Sequence, residues 1–443
     1  MPQRPVYAPG ELVDYTAQTG DTLPSLAVRF NTSVDEIRQA NPIIPETATS
    51  MPPGMPMKIP IYYLPFWGSS YQILPDSLFV NGPAQVGFDT AKFIAEQPGW
   101  LKGYTEYAAD ENRSAANMID LVALRYSVSP RLLLALLEYQ SGALSQAEPS
   151  EEAQTYPMGY DRRERRGLYR QLIWAANLLN NGYYGYRTNH LTSLDYEDGR
   201  MERFDPWQNA ATVGLMNFFN TLLPKDAYLQ AISSEGFAAT YASLFGDPWA
   251  ADQPHIPGSL EQPEFALPFK AGEIWAFTGG PHTAWGIGDP LSALDFAPPS
   301  VAGGCQETDL WATAVADGVI ARSETGEIAL DLDGDGDERT GWVVFYLHLA
   351  TQGRAPLGAE VVAGQPVGHP SCEGGSSTGT HVHIARKYNG EWMLAEGTLA
   401  FNLEGWQARN GSQPYQGTLT RLSRTVTACV CSNRDTFIQS EKR

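Results

Sequence analysis

Apolar residues follow different spacings along the chain, and each spacing predicts a different kind of element. Between about residues 12 and 62, the pattern is a short strand, two short helices and a closing strand in MKIPI. Asp21 or Thr22 is placed to cap the first helix and Ser33 the second, because their side-chain oxygens can accept hydrogen bonds from unpaired backbone N–H groups. The order β-α-α-β predicts a compact unit over residues 1–62.

A 3.6-residue period of apolar positions continues through residues 63–247 and predicts a helical region. In SPRLLLALLEYQSG, Ser129 is a helix cap and Pro130 takes the first helical position, where a missing N–H is tolerated. LYRQLIWAANLLNNGYYGY and QNAATVGLMNFFNTLL continue the same period. Prolines then replace the periodic apolar residues, which predicts a linker over residues 248–268.

Residues 269–443 alternate short apolar runs with glycine and proline turns. Runs such as GWVVFYLHLA and GTHVHIARK have the length and the β-branched content of strands. We therefore expect a mostly antiparallel β domain here. The fold class of the whole chain is multidomain: a βααβ unit, an all-α region and an antiparallel β domain.

Composition supports folded domains and restricts their partners. At 443 residues, 43% of them hydrophobic, the chain is too long for one ordinary core. A net charge of -20 argues against nucleic acid, whose binding needs a basic surface, and against anionic membranes. No run of 18 apolar residues is present, so we expect no transmembrane segment, and we expect a monomer.

The cellular location is constrained by the first residues and the cysteines. MPQRPVYAPGELVDYT has no apolar signal core, which fits a cytosolic protein or a secreted one whose signal has been removed. Cys305 and Cys372 flank a histidine-rich region and are predicted to form a disulfide, while Cys429 and Cys431 are too close for a relaxed bridge and their state stays open. With the motifs below, these features favour a secreted or cell-envelope protein.

The N-terminal unit resembles a LysM domain over residues 12–62, on the strength of GDTL, the Asn-Pro after the second helix and the final KIP. Members of that family bind glycans containing N-acetylglucosamine in a groove between two loops. The alternative is that the loop residues serve only as turns and caps. The resemblance implies glycan contacts at Gly20, Asp21, Thr22, Leu23, Asn41, Pro42 and Ile43.

The helical region resembles lysozyme-like lytic transglycosylases over about residues 110–225, in SPRLLLALLEYQSG, GYY and QNAAT. The family places its catalytic acid in a Glu-Ser pair, and the matching pair here is Gln140-Ser141. An amide has no proton to give at working pH. We therefore expect this region to be catalytically inactive.

Five of the seven histidines lie between His282 and His383. In GTHVHIARK, His381 and His383 would leave the same face of a strand. An isolated pair of this kind is more often structural. Two histidines, a carboxylate and an open position, however, make a catalytic zinc site, in which the metal lowers the pKa of water and further histidines transfer the proton.

These motifs resemble the lysostaphin and β-lytic zinc endopeptidases of bacterial cell walls over about residues 270–435. The matching features are Gly-Gly before a histidine, LDFA, VADGVI, YLHL and GTHVHI. The resemblance assigns zinc to His282, Asp295 and His383. It assigns His348 and His381 to the reaction itself, as base or transition-state stabiliser.

The aspartate ligand has a competitor. Many relatives place it four residues after the first histidine, where this chain has Gly286. Asp289 and Asp295 are then the candidates, and we favour Asp295 because ALDFAPP reads as a strand and GDP as a turn. His369 is expected to be structural, and His190 and His255 to lie at the surface.

The acidic run DLDGDGDERTGW is a second candidate metal site. Asp331, Asp333, Asp335 and Asp337 alternate as in an oxygen-rich calcium loop, although Trp342 stands where an EF-hand would need glutamate. The alternative is an acidic hairpin turn without a cation. Calcium is therefore a candidate cofactor beside zinc.

Together these observations predict a secreted peptidoglycan endopeptidase that cleaves peptide cross-links with zinc-activated water. Its partners would be the glycan and the stem or cross-bridge peptides of the wall. The alternative is a non-catalytic wall-binding or hydrolase-activator protein. A lytic transglycosylase is a third class, against which Gln140 argues.

Overall fold

The computed structural model describes residues 7–65, 67–299, 303–431 and 433–441. The chain divides into two compact units, Met1–Ser259 and Leu260–Arg443. The division falls inside the stretch 248–268 predicted as a linker, which contains no regular helix or strand. One compact unit contains both the βααβ element and the helical region, so separate domains over 1–62 and 63–247 stay a prediction.

The βααβ element has the predicted order. Strands β1 (Glu11–Thr16) and β2 (Pro56–Ile61) pair antiparallel, with helices α1 (Leu23–Arg29) and α2 (Val34–Ala40) between them in sequence. Thr22, rather than Asp21, caps α1 by accepting from the Ser25 N–H. Ser33 caps α2 as predicted.

The rest of the first unit is mainly helical, as predicted. Ser129 caps α6 (Pro130–Ser141) and Pro130 is its first residue, and α8 (Leu168–Arg187) packs against α5 (Ala115–Tyr126) and α9 (Ala210–Leu222). Two hairpins interrupt the helices: β3 (Thr105–Ala108) with β4 (Glu111–Ser114), and β5 (Ser193–Asp195) with β6 (Met201–Arg203). The helices are α3 (Asp76–Phe79), α4 (Thr90–Ala95), α5 (Ala115–Tyr126), α6 (Pro130–Ser141), α7 (Glu151–Thr155), α8 (Leu168–Arg187), α9 (Ala210–Leu222), α10 (Lys225–Ala231) and α11 (Phe237–Phe245).

The second unit is built from antiparallel strands, as predicted. Its main sheet has the order β13-β10-β11-β12-β15-β8-β7-β21, with β16 paired to β15, and a four-stranded sheet has the order β17-β18-β19-β20. The strands are β7 (Ile274–Thr283), β8 (Leu291–Ala297), β9 (Ala312–Thr313), β10 (Gly318–Glu324), β11 (Gly326–Asp331), β12 (Trp342–Leu349), β13 (Glu360–Val361), β14 (Pro366–Gly368), β15 (Val382–Tyr388), β16 (Glu391–Trp392), β17 (Asn402–Leu403), β18 (Trp406–Asn410), β19 (Gly417–Arg421), β20 (Arg424–Thr427) and β21 (Phe437–Gln439).

The two faces of the main sheet differ, because one is apolar and the other carries the residues of the candidate site. Successive side chains of a strand alternate between faces. On one face, Val344, Tyr346 and Ile384 join the hydrophobic core of the unit. The opposite face of the same strands presents Phe345 and His383, whose rings lie 6.2 Å apart. The candidate site therefore sits on strands β7, β8, β12 and β15, each of which is paired on both sides.

The structure also bears on the predictions for the cysteines, for His255 and for membrane-spanning helices. The Cys305–Cys372 disulfide is formed as predicted, and Cys429 is bonded to Cys431, the pair left open. His255 was expected at the surface and is only 2% exposed, because the proline-rich segment packs against the first unit instead of running through solvent. Among the described residues, no helix is both long and apolar enough to cross a membrane.

Candidate active site

Strand register aligns the centre of the candidate site. Asp295 in β8 lies directly opposite His383 in β15 and opposite Gly279 in β7. His383 in turn lies opposite Leu347 in β12. Because residues opposite one another in neighbouring strands leave the same face, this register places the Asp295 and His383 side chains side by side. The alternating pattern of the sequence is enough to predict this part of the arrangement.

His282 joins them through irregularities of β7. The register of β7 against β8 shifts on both sides of His282, as in a β-bulge. The two preceding glycines leave room that no other residue would: a Cβ at Gly279 would lie 2.2 Å from Asp295 Oδ2, and one at Gly280 would lie 2.5 Å from the Gln416 carbonyl carbon. The Gly-Gly before the histidine is thus a steric requirement of the site.

The three side chains converge on a single point. Asp295 Oδ1 lies 3.3 Å from His282 Nε2 and 3.2 Å from His383 Nδ1, and the two nitrogens are 2.9 Å apart. The other nitrogen of each ring is held by a backbone carbonyl: His282 Nδ1 by Gly280 at 2.8 Å and His383 Nε2 by Ala284 at 3.1 Å. With those nitrogens donating, the lone pairs of His282 Nε2 and His383 Nδ1 face the carboxylate.

This donor set fits a zinc ion. In a tetrahedral site with bonds of about 2.0–2.1 Å, neighbouring ligand atoms lie roughly 3.3–3.4 Å apart, close to the separations seen here. Asp295 Oδ1 is buried and has no hydrogen-bond partner of acceptable geometry among the described residues. Since an unsatisfied buried carboxylate oxygen is costly, the arrangement is that of a cation ligand. Two imidazoles and a carboxylate leave one tetrahedral position open.

His348 is brought to the site by a second irregularity. Gly326 pairs with Leu349 and Glu327 with Leu347, so His348 is the extra residue of a β-bulge, with a φ of 65°. Regular alternation would turn its ring towards the core, as for Tyr346. The left-handed backbone instead redirects the ring towards Asp295 and His383.

His381, just before β15, completes the group. Its ring centroid lies 4.5 Å from that of His348, and its Nε2 lies 3.6 Å from Asp295 Oδ1. Nδ1 of His381 is held by the Gly379 carbonyl at 2.8 Å, and Nδ1 of His348 by the Glu373 carbonyl at 2.9 Å. In both histidines, Nε2 is therefore the ring nitrogen that remains to bind a ligand or to exchange a proton with it.

Burial and neighbouring side chains set the protonation states of Asp295 and His348. Burial would raise the pKa of Asp295, but His282 and His381 beside it hold that pKa well below its usual range. Burial, with His381 and His383 nearby, lowers the pKa of His348 to about 3. The site thus presents an ionised carboxylate and a neutral His348 imidazole.

Asp289 lies outside this group. It precedes β8 in a turn, and the cluster of ligand-capable atoms contains Asp295 instead.

Tyr415 is a further residue of the site that the sequence reasoning missed. Its ring stacks on His282 with centroids 4.1 Å apart, and burial raises the pKa of its phenol, which stays protonated and able to donate a hydrogen bond. No local signal marks it, because GSQPYQG has the composition of an ordinary turn.

The acidic run forms a turn in which three carboxylates approach one another. Asp331, Asp333 and Asp335 offer oxygens within 4.8 Å of one another, and Asp331 is buried. Burial raises the pKa of Asp331 to about 6. Asp337 was expected to share this group, but its carboxylate pairs with Arg339 at 2.6 Å, a charge partner close in sequence that removes it from the cluster.

Only some of the residues predicted to contact glycan have side chains that are exposed and not already bonded within the protein. The Asp21 carboxylate is buried and bonded to Arg29 at 2.7 Å and to the Tyr15 hydroxyl at 2.6 Å. Leu23 belongs to the core, and the Asn41 amide bonds backbone carbonyls. Arg187 of α8 covers Gly20, and its guanidinium donates to the Thr19 carbonyl. Thr22, Pro42 and Ile43 retain surface exposure.

In the helical region, the position expected to hold a catalytic acid is Gln140, on the last turn of α6. Its amide nitrogen is buried without a hydrogen-bond partner among the described residues. The neighbouring Glu138 accepts from the Leu144 N–H at 2.8 Å and the Ser145 N–H at 3.1 Å. That carboxylate is engaged in holding the loop after the helix.

Two family models match within the first unit, and curated relatives extend the similarity into the second. The LysM domain model matches residues 15–60, and the model of the LasA N-terminal domain matches residues 72–258. Protease LasA of Pseudomonas aeruginosa is 28% identical over 346 residues, which cover 73% of this chain and 75% of LasA. The structure of the M23 metalloprotease pseudoalterin is 26% identical and covers 38% of this chain and 96% of its own, with a TM-score of 0.32, which is too low to support a structural argument.

A further relative matches over most of its own length. The β-lytic metalloendopeptidase of Lysobacter enzymogenes is 30% identical over 164 residues, which are 35% of this chain and 85% of that enzyme. The shared part is therefore nearly the whole of a named metalloendopeptidase. A metal-binding constellation of two histidines and an aspartate on an antiparallel sheet is what such an enzyme requires. This chain belongs to the β-lytic metalloendopeptidase family.

Proposed function

We propose that the chain is a zinc endopeptidase that acts outside the cell or in the cell envelope and hydrolyses peptide cross-links of bacterial peptidoglycan. The observation that carries the proposal is the buried Asp295 oxygen, which faces one lone-pair nitrogen of His282 and one of His383. We propose these three residues as the zinc ligands. Zinc held there would act as a Lewis acid towards a peptide carbonyl and make water acidic enough to attack near neutral pH.

The chain's own residues supply the proton transfers. His348, neutral because of its burial, can accept a proton at Nε2, and His381 Nε2 faces the same point. The Tyr415 hydroxyl, next to His282, can donate a hydrogen bond to developing negative charge. The carbonyls of Gly280, Ala284, Gly379 and Glu373 hold the four rings in these orientations.

The substrate can be tested by incubating the zinc-loaded protein with purified peptidoglycan and sequencing the released peptides. New amino termini within stem or cross-bridge peptides are expected. A protein that binds the wall and carries zinc, but releases no peptide termini, would support the alternative of a non-catalytic wall-binding or activator protein.

We also propose that the helical region is a lysozyme-like fold without glycosidase chemistry. Gln140 cannot donate a proton, and Glu138 is engaged by two backbone N–H groups. Mass spectrometry of digested peptidoglycan should therefore show no anhydromuramic acid. Anhydro-sugars that persist in a His383→Ala variant would refute this assignment, because they could not come from the zinc site.

Calcium is proposed for the turn of Asp331, Asp333 and Asp335. The raised pKa of Asp331 means that the folded protein takes up a proton there, so stability without calcium should fall as the pH rises towards 6 and stay low above it. Millimolar calcium at pH 7.5 should then raise the melting temperature by several degrees, on the order of the mass-action effect of a bound ligand. Differential scanning calorimetry measures both effects.

A matched pair of variants makes the calcium test specific. Asp333→Ala should abolish the response, whereas Asp337→Ala should keep it, because that carboxylate is paired with Arg339. An identical melting curve with and without calcium would leave an acidic turn and no site.

A further inference from the structure

The first unit contains a cavity of about 840 Å³ beside the LysM strands. Part of the lining is the end of β1 and the residues after it, from Asp14 to Thr19, and another part includes Tyr71, Trp207 and Trp249 from the helical region and the segment after it. None of the seven residues predicted for the LysM glycan groove lines this cavity. Its volume lies in the range of pockets that bind small ligands, about 300–1,000 Å³.

The walls of the cavity are bonded to each other. Trp207 Nε1 donates to the Asp14 carbonyl at 3.1 Å, and the Trp207 carbonyl accepts from Gln18 Nε2 at 3.0 Å and Gln72 Nε2 at 2.8 Å. The bonds from Trp207 to Asp14 and Gln18 connect the LysM element to the helical region, and the bond to Gln72 holds Trp207 within that region. A ligand would therefore meet a formed site, which lowers the entropic cost of binding.

The lining has the chemistry of a saccharide site. Trp249 is 41% exposed and Tyr71 is 38% exposed, so two aromatic side chains remain open to solvent at the cavity, where they could pack against the apolar faces of sugar rings. Amides, hydroxyls and carboxylates supply the polar groups, and none of the described residues that line the cavity is a lysine or an arginine. A polyhydroxylated ligand without negative charge fits this composition, and an anionic one does not.

The side-chain amide of Asn209, in the lining, has a buried oxygen without a hydrogen-bond donor among the described residues. Asn209 is 5% exposed, and its Nδ2 donates to the Leu74 carbonyl and to Asp76 Oδ1. Its Oδ1 is buried and has no hydrogen-bond partner among the described residues. A buried acceptor left in this way is costly unless a ligand or water donates to it.

We propose that this cavity is a saccharide-binding site for uncharged N-acetylglucosamine oligomers, separate from the groove expected on the LysM domain alone. The choice of an amino-sugar oligomer rests on the proposed action on peptidoglycan. The helical region would then have a function without its own chemistry, because it supplies the aromatic wall. The site would hold a glycan strand while the second unit cleaves peptides.

The test is a titration of the full-length protein with the N-acetylglucosamine trimer, followed by isothermal calorimetry and tryptophan fluorescence. Trp249→Ala should weaken binding by about three- to tenfold, the value of one aromatic stacking contact, and Trp249→Phe should restore most of it. Tyr107→Ala, at a 69% exposed aromatic position in β3 that lines neither the cavity nor the LysM groove, is the matched control and should bind as the wild type does. A trisaccharide of uronic acids should bind at least tenfold more weakly than the neutral trimer.

Several results would overturn the proposal. They are wild-type affinity in Trp249→Ala, an equal loss of affinity in Tyr107→Ala and Trp249→Ala, and no binding of the trimer at millimolar concentration. Because His383→Ala should bind the trimer normally while losing peptidase activity, failure of the saccharide site and failure of the zinc peptidase are distinguishable.

Discussion

Replacing Asp295 by alanine should remove zinc from the protein and abolish peptide release from peptidoglycan. Asp295 Oδ1 is the atom that both His282 Nε2 and His383 Nδ1 face at 3.2–3.3 Å. Without it, two imidazoles would have to hold the ion alone. We expect zinc affinity to fall on the order of a thousandfold, since each ligand contributes several kcal/mol to a tight site. Metal analysis after dialysis against a weak chelator, together with peptide release, measures the effect.

Asp289→Ala is the control for that experiment. It changes the competing aspartate, which lies in the turn before β8 and outside the cluster. This variant should keep its zinc and its activity. Loss of zinc from Asp289→Ala with retention in Asp295→Ala would show that Asp289, the candidate nearer to His282 in sequence, is the carboxylate ligand.

Replacing His348 or His381 by alanine should have a different effect: zinc stays bound and turnover falls by roughly 10²–10⁴-fold, the range for losing a general acid or base. Both rings approach the site from outside the three-residue cluster, and a backbone carbonyl holds Nδ1 of each. Zinc content and kcat measured on the same samples separate this outcome from metal loss.

His190→Ala, at an exposed position in the first unit, serves as the matched control and should preserve both zinc and kcat. A His348 or His381 variant that loses its zinc would mean that the ligand shell has been assigned to the wrong histidines. Unchanged turnover in both variants would mean that neither histidine transfers a proton.

Much of the site follows from sequence periodicity. The alternation in GTHVHIARK and ALDFAPP places His383 and Asp295 on one face, and strand pairing then brings them together. The caps Thr22, Ser33 and Ser129 likewise follow from local chemistry, because each serves the backbone within three residues.

What periodicity could not predict are the interruptions of the pattern. His348 would face the core in a regular strand, and only the bulge with its left-handed backbone turns it to the site. Tyr415 reaches His282 through tertiary folding from a turn with no sequence signal. Tertiary packing also determines two contacts in the LysM element. Asp21 forms an ion pair with Arg29, and the Arg187 guanidinium lies against Gly20.

The two candidate metal sites differ in how well the sequence alone describes them. For zinc, the resemblance to a known family and the observed geometry select the same three residues. For the acidic turn, the sequence suggested four carboxylates, and an ion pair between Asp337 and Arg339 leaves three. Charge alternation alone does not reveal which carboxylates are already neutralised by a nearby cation.

The most direct test of the account is an anomalous-scattering measurement at the zinc absorption edge on crystals of the purified protein. We expect one strong peak in the second unit, within bonding distance of His282 Nε2, Asp295 Oδ1 and His383 Nδ1. A peak held by Asp289 or His348, or no peak in a protein that still releases peptides from peptidoglycan, would contradict it.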